Sequence, residues 1–84
     1  MQELLDIGFG NYISTARLIA LATPDSAPAR RLIADARERS ALIDATSGRK
    51  TRSILVMDSD HIILSALETE VLQQRFAEQS ERCQ

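Results

Sequence analysis

Apolar residues follow a helical spacing in the stretch that begins at Ser26. Four of them fall at positions i, i+3, i+4 and i+7, which places them on one face of an α-helix: Ala29, Leu32, Ile33 and Ala36. Ser26 precedes the stretch as an N-cap, and Pro28 lies in the first turn, where its missing N–H group costs little. The pattern predicts a helix that starts at Ser26 and fades near Arg39-Ser40.

Two continuous apolar runs lie further along the chain, at Ile54–Met57 and Ile62–Leu64. They predict strands over Thr51–Met57 and His61–Ser65, after a shorter strand over Leu42–Thr46. An antiparallel sheet with one wet face alternates apolar and polar residues, whereas these runs do not alternate. We therefore expect both faces of these strands to be covered, one by helices and the other by a second subunit.

The N-terminal part gives weaker signals. Leu4–Ile7 is a short apolar stretch, and Gly8–Asn11 follows it as a turn or bulge, because glycine and asparagine tolerate positive φ. The segment from Tyr12 to Ala22 suits a strand or a helix. Thr23-Pro24 closes it and Asn11–Ser14 opens it like a turn, so we predict a strand over residues 16–22.

A second helix is predicted near the C-terminus. Thr69 is its candidate cap, and a partly apolar stripe follows at Val71, Leu72, Arg75 and Phe76. Residues 79–84 are polar and are predicted to fray as a tail. The expected fold class is α+β: a small, mainly antiparallel sheet with one central helix and a C-terminal helix. We expect one domain over residues 1–78 and a polar tail over residues 79–84.

Length and composition fit a small soluble domain. The 84 residues leave room for one modest core. No apolar run reaches the ~18 residues that would span a bilayer, and no signal-peptide pattern opens the chain, so no membrane partner is expected. Cys83 is the single cysteine and cannot pair within the chain. A reducing cytoplasm is the expected compartment.

The net charge of −2 is unevenly distributed. Residues 25–52 carry seven cations against four acids, a net charge of +3, whereas residues 1–24 carry −1 and residues 53–84 carry −4. Nine of the ten cations are arginine, whose planar fork suits bidentate contacts with phosphate. A segregated basic centre of this kind is a weak electrostatic signal of nucleic-acid binding.

Residues for chemistry are nearly absent, and we expect no enzyme. The single histidine, His61, makes a Ser-His-Asp arrangement nearly impossible. His61 follows Asp58 and Asp60, but three ligands within four residues rarely converge on a metal, and a solvated turn explains them better. Gly8–Asn11 lacks the third glycine and the helix of a dinucleotide site. The sequence therefore predicts no catalytic residues, no metal, no cofactor and no small-molecule substrate.

The basic residues that remain cluster after Gly48. Arg49, Lys50, Thr51 and Arg52 lie in a loop that enters a strand, and such side chains contact phosphates in protein–DNA complexes. A solvated basic turn is the alternative interpretation. Arg30 and Arg31 on the first helix add weaker candidates, although pairing with Asp35 and Glu38 along the helix is an alternative for them.

Four blocks of the sequence, collinear from about Leu5 to Leu67, resemble the RemA (extracellular matrix regulatory protein A) family. The blocks are Ile7–Asn11, Ser26–Pro28, Ile43–Arg52 and Val56–Ser65. The resemblance implies a bacterial DNA-binding transcription regulator that assembles into closed rings and contacts DNA through a basic surface, with Arg17 as a further characteristic basic residue. The family usually carries two arginines where this chain has Arg49 and Lys50, and lysine keeps the charge but loses the bidentate fork.

The leading hypothesis is a cytoplasmic, nucleoid-associated regulator or histone-like architectural protein that binds double-stranded DNA as a homo-oligomeric ring. A ring repeats one basic patch around a face, so a net-acidic protomer can still bind DNA. The alternatives are an RNA-binding ring and a protein-only scaffold. RNA binding is disfavoured because the aromatic residues available for stacking are few: Phe9, Tyr12 and Phe76.

Overall fold

The computed structural model describes residues 4–82 as two helices and six strands. The elements, in chain order, are β1 (Leu4–Gly8), β2 (Asn11–Ser14), a 3-10 turn (Thr15–Arg17), β3 (Leu18–Ala22), α1 (Ala27–Glu38), β4 (Leu42–Asp44), β5 (Ser53–Met57), β6 (Ile62–Ser65) and α2 (Thr69–Arg82). The predicted α+β class with mostly antiparallel pairing is confirmed.

β1 and β2 form a hairpin, and the other strands form a four-stranded sheet in the order β3-β5-β6-β4. β5 pairs antiparallel with both β3 and β6, whereas β4 pairs in parallel with β6. β3, β4 and β6 therefore run in one direction and β5 runs against them. Because β3 and β4 are parallel, the chain must return between them, and α1 provides that crossover.

The sequence signals for α1 are confirmed. The Ser26 side chain accepts a hydrogen bond from Ala29 N at 3.2 Å, and Pro28 lies in the first turn. Ala29 and Ala36 are buried, so small side chains let the helix approach the sheet closely. Beyond the end of the helix, Ser40 has a φ of 58° and Ala41 N donates to Ala36 O at 2.8 Å. This reversal directs the chain into β4.

Two apolar clusters cover the two faces of the central strands. On one face, Ile54, Ile62 and Leu64 pack with Ala29 and Ala36 of α1. On the other face, Leu55, Met57 and Ile63 pack with residues of the hairpin and α2: Leu5, Ile7, Ile13 and Leu72. The expectation that a second subunit covers one face of these runs is wrong, because the chain supplies both covers itself.

The N-terminal prediction needs correction. Asn11–Ser14 is strand β2 rather than the opening of a turn, and the strand predicted over residues 16–22 begins at Leu18 because Thr15–Arg17 forms a 3-10 turn. The pairing of Leu5 with Ile13 in the hairpin buries both side chains under the sheet. This tertiary gain outweighs the local turn propensity.

Other element bounds differ more modestly. β4 ends at Asp44 rather than Thr46, and β5 begins at Ser53 rather than Thr51. Thr69, predicted as the cap of α2, is its first residue. The helix continues to Arg82 through residues predicted to fray; Cys83 and Gln84 lie outside the described residues. Arg75 of α2 donates to Asp6 O at 2.9 Å and thereby ties the helix to β1. Neither helix is long and apolar enough to cross a membrane within the described part of the chain.

Candidate nucleic-acid interface

The basic stretch identified in the sequence forms a loop at one end of the sheet. β3, β4 and β6 all finish at this end, and β5 begins there. The segment from β4 to β5, residues 45–52, is called the basic loop below. It carries Arg49, Lys50 and Arg52, which are exposed, and Thr51, which is half-buried. These side chains therefore lie at one end of the sheet rather than on one of its faces.

Local hydrogen bonds fix the shape of the basic loop. Asp44 Oδ1 accepts from the Thr46 hydroxyl at 2.6 Å and from Thr46 N at 2.9 Å, and Arg49 N donates to Thr46 O at 3.1 Å. The Thr46 hydroxyl and then its N–H hold the pKa of Asp44 below its ordinary value. Ser47 and Gly48 have φ angles of 55° and 80°, so the chain reverses here before Arg49. The loop is thus ordered by its own residues together with Asp44, the last residue of β4.

The cations of the basic loop differ in how their charge is compensated. Arg52 is held at both ends: its N–H donates to Ser65 O at 2.8 Å, and its Nη1 lies 3.1 Å from Glu68 Oε1. Arg49 and Lys50 form no ion pair with any described residue. The uncompensated positive charge of the loop therefore resides on Arg49 and Lys50.

The tip of the β1–β2 hairpin lies against the basic loop. The guanidinium carbon of Arg49 is 5.0 Å from the centre of the Phe9 ring, within the range of a cation–π contact. Asn11 Nδ2 lies 3.0 Å from Gly8 O and 3.4 Å from Ala45 O, so it joins the tip to the loop. An open cleft of about 550 Å³ lies beside these contacts and is lined by Phe9, Arg49, Lys50, Arg52, Ala66 and Leu67.

Arg17 lies at the opposite end of the sheet. Its carbonyl accepts from Asp58 N at 2.8 Å beside the β5–β6 turn, and its Nη1 lies 3.7 Å from Asp58 Oδ1. The five residues of β5 separate this position from the basic loop, a distance of about 17 Å along the strand. Within one protomer, Arg17 and the basic loop are not brought together.

Arg30 and Arg31 lie in the first half of α1 and are exposed. Because α1 starts where β3 ends and returns toward the start of β4, the first half of α1 lies toward the end of the sheet that carries the basic loop. The alternative that they pair with acids of their own helix is wrong for Asp35, which binds Arg39 instead at 2.9 Å. Neither arginine forms an ion pair with a described residue. Arg30 and Arg31 thus add positive charge at the same end of the sheet, on the side covered by α1.

Comparison with known proteins places the chain in a family. The family described as "RemA-like: Extracellular matrix regulatory protein A-like" matches residues 4–76. The chain belongs to the RemA-like family. The resemblance noted in the sequence is therefore confirmed.

Relatives of this RemA-like chain carry regulatory names. It is 54% identical over 79 residues to the "Extracellular matrix regulatory protein A" of Bacillus subtilis, covering 94% of this chain and 89% of that protein. A "Putative regulatory protein" of Nitratidesulfovibrio vulgaris is 51% identical, with 94% and 92% covered. Another from Caldicellulosiruptor saccharolyticus is 54% identical, with 94% and 78% covered. These relatives support a regulatory role.

In this RemA-like chain, residues 58–61, with Asp58 and Asp60, form the hairpin turn between β5 and β6. Met57 N donates to His61 O at 3.0 Å, and Asp60 adopts a φ of 67° in the turn. The Ser59 hydroxyl is 2.7 Å from His61 Nδ1. Among the described residues, no three side chains of the metal-binding types gather at one point. The turn connects two strands and contacts Arg17 at that end of the sheet.

Sequence reasoning missed Phe9 as part of this site. The glycines around it predicted a turn, which the structure confirms, but its neighbour Arg49 lies 40 positions away in sequence and in a different element. One signal was present: a large apolar side chain between two glycines is exposed in the tightest part of a turn. Such a residue contributes little to a core and is available to the surface.

Proposed function

We propose that this RemA-like chain is a regulator that binds duplex DNA through the basic loop, repeated around a homo-oligomeric ring. The observation that carries the proposal is a pair of exposed cations, Arg49 and Lys50, that have no ion partner among the described residues and lie on an ordered loop at one end of the sheet. Binding through phosphates needs such cations held in fixed positions. Under this proposal the protein has no catalytic role, cofactor or small-molecule substrate, and it acts in the cytoplasm at the nucleoid.

Two edge strands support assembly. β3 and β4 are the edges of the four-stranded sheet, and each exposes an isoleucine: Ile19 is 64% exposed and Ile43 is 47% exposed. An apolar groove of about 410 Å³ runs between β3 and α2, where Phe76 is 39% exposed. The two edges are different surfaces, so a contact between them is head-to-tail, and head-to-tail contacts generate closed rings or open filaments.

Assembly also answers the charge balance. One protomer has a net charge of −2, which opposes binding to a polyanion. Of the five cations without an ion pair among the described side chains, four lie toward the end of the sheet that carries the basic loop, and Arg37 lies at the other end. Glu68, Asp58 and Asp35 are engaged in ion pairs. A ring that turns every basic loop to one surface multiplies the phosphate contacts per duplex.

Replacement of Arg49 and Lys50 by alanine tests the proposal. Binding to a fluorescently labelled duplex is measured by anisotropy for the double variant and for a control, Arg37→Ala with Arg39→Ala. The control removes two cations from the C-terminal end of α1, at the end of the sheet opposite the basic loop. We expect the basic-loop variant to lose nearly all binding and the control to retain it. Both should keep the assembly mass of the unmodified protein, because exposed substitutions change stability by about 0.5 kcal/mol or less. Loss of the exposed Arg39–Asp35 ion pair in the control adds only about 0–1 kcal/mol.

The same measurement separates the competing functions. Tighter binding to single-stranded RNA than to duplex DNA would show an RNA-binding ring. Absence of binding to either nucleic acid by an intact oligomer would show a protein-only scaffold. Dissociation of the Arg49→Ala/Lys50→Ala variant into monomers would show that the basic loop is a subunit contact. Each of these results contradicts the proposal.

A further inference from the structure

The tip of the β1–β2 hairpin has an unusual backbone. Gly8, Phe9 and Gly10 have φ angles of 101°, 57° and 80°, so three consecutive residues are left-handed. Glycine adopts this conformation freely, but for a bulky aromatic residue it is an outlier. Outliers of this kind persist where the surrounding structure enforces them, and they cluster at functional sites.

Neighbouring residues enforce this conformation. Gly8 N donates to Asp6 Oδ1 at 2.8 Å, and Asn11 Nδ2 donates to Gly8 O at 3.0 Å. A Cβ atom on Gly8 would lie 3.2 Å from Leu67 Cγ, so a side chain at this position would require the Leu67 side chain to shift. These two hydrogen bonds and the close approach to Leu67 hold the tip in its observed geometry.

The strained residue does not serve the core. Leu5, Ile7 and Ile13 of the same hairpin are at most 6% exposed, whereas Phe9 is 48% exposed. The Arg49 guanidinium lies over the Phe9 ring, and the remaining surface of the ring borders the open cleft shared with Lys50. The turn thus holds an apolar ring in solvent beside the two uncompensated cations.

We propose that Phe9 is an apolar wedge that enters the minor groove of bound duplex DNA and packs its exposed surface against a base step, while Arg49 and Lys50 bind the flanking phosphates. This inference rests on the proposed function. Apolar side chains that insert between base steps from the minor groove unstack them and kink the duplex. A rigid hairpin tip suits this role because little further order is lost on insertion.

Replacement of Phe9 by tryptophan provides a direct probe. The chain contains no tryptophan, so Phe9→Trp introduces the sole indole fluorophore. We expect its emission to be quenched on saturation with duplex DNA, as stacking on bases brings the indole against the nucleobases. Tyr12→Trp is the matched control: Tyr12 lies on the same hairpin and is 59% exposed, but it follows the turn on β2 and does not line the cleft that Phe9 shares with the basic loop. Its emission should change little.

Replacement of Phe9 by asparagine separates the ring from the turn. Asparagine tolerates the left-handed conformation, so Phe9→Asn should melt at or above the temperature of the unmodified protein. Loss of the stacked ring should weaken duplex binding by about 5- to 150-fold. Energy transfer between labels at the two ends of a duplex should also report a smaller bend.

The outcomes distinguish this inference from the proposed function. If the unmodified protein binds duplex DNA, but Phe9→Trp is not quenched and Phe9→Asn binds and bends DNA normally, the wedge is wrong and the proposed function stands. If the unmodified protein does not bind duplex DNA, both are wrong. Stronger quenching by single-stranded RNA than by duplex DNA would also overturn the wedge.

Discussion

Buried serines hold the candidate site together at the scale of single residues. Ser65 is fully buried, and its hydroxyl donates to Ile7 O at 2.9 Å and accepts from Leu67 N at 3.1 Å. Ser53, also fully buried, donates its hydroxyl to Leu67 O. Through these bonds the start of β5 and the end of β6 position both the hairpin tip and Leu67.

Ser65→Ala should destabilise the protein by about 1–3 kcal/mol, because Ile7 O and Leu67 N lose a buried partner. Ser14→Ala is the matched control. The Ser14 hydroxyl is buried and has no hydrogen-bond partner among the described residues, so its removal should be neutral or stabilising. Urea unfolding at one protein concentration measures both changes, since assembly makes stability depend on concentration. Equal midpoints for the two variants would contradict this role of Ser65.

The elements differ in how well the sequence predicted them. α1 was predicted at both ends because its signals are local: the Ser26 cap, Pro28 and the spacing of four apolar residues. The parallel pairing of β4 with β6 and the identity of Asn11–Ser14 as a strand depend on partners distant in sequence. No local pattern contains that information, so strands that exist only as pairs were missed or misplaced.

The candidate site shows the same division. Charge clustering was enough to identify Arg49, Lys50 and Arg52, since they are adjacent in sequence. The compensation of Arg52 by Glu68 depends on the end of β6 folding beside the loop, and the contact of Arg49 with Phe9 depends on the hairpin. Sequence therefore predicted which residues carry charge, and the fold decides which charges are uncompensated.

The basic loop as an element depends on Asp44, and this dependence has a pH signature. Hydrogen bonds from Thr46 hold the folded-state pKa of Asp44 below its ordinary value of 3.8. A lowered folded pKa means that the ionised carboxylate contributes stability above pH 3.8 and loses it as the pH falls through the folded pKa. Asp44→Asn should therefore melt below the unmodified protein at neutral pH, and the difference should vanish in strong acid. A difference that is independent of pH would show that the carboxylate charge is unimportant.

At the scale of the whole molecule, assembly depends on the edge strands. The apolar runs of β5 and β6 are covered within one chain, so they no longer indicate a second subunit. The surfaces that favour assembly are instead β3 and β4, which have no strand neighbour on their outer sides within residues 4–82 and which expose Ile19 and Ile43. Such edges are open to pairing with another chain.

Ile19→Lys should dissociate the oligomer, because a charge on the exposed surface of the edge strand β3 opposes association and desolvation there. The folded protomer should survive, since Ile19 is 64% exposed and belongs to neither apolar cluster. Tyr12→Lys, at an exposed site on the hairpin, is the control and should assemble normally. Native mass spectrometry at micromolar concentration should show a closed oligomer well above a dimer for the unmodified protein. A monomeric unmodified protein, or an Ile19→Lys oligomer of unchanged mass, would contradict this prediction.

The salt dependence of duplex binding tests most directly whether the basic loop binds DNA. It is measured for the unmodified protein, for Arg49→Ala/Lys50→Ala and for the control Arg37→Ala/Arg39→Ala, at enough protein for weak binding to be followed. We expect log K to fall linearly with log salt concentration. The slope should shrink by about 0.9 for each phosphate that the basic-loop variant no longer neutralises, and it should stay unchanged in the control. An intact basic-loop oligomer that keeps the full slope and affinity would contradict the claim that this loop binds DNA.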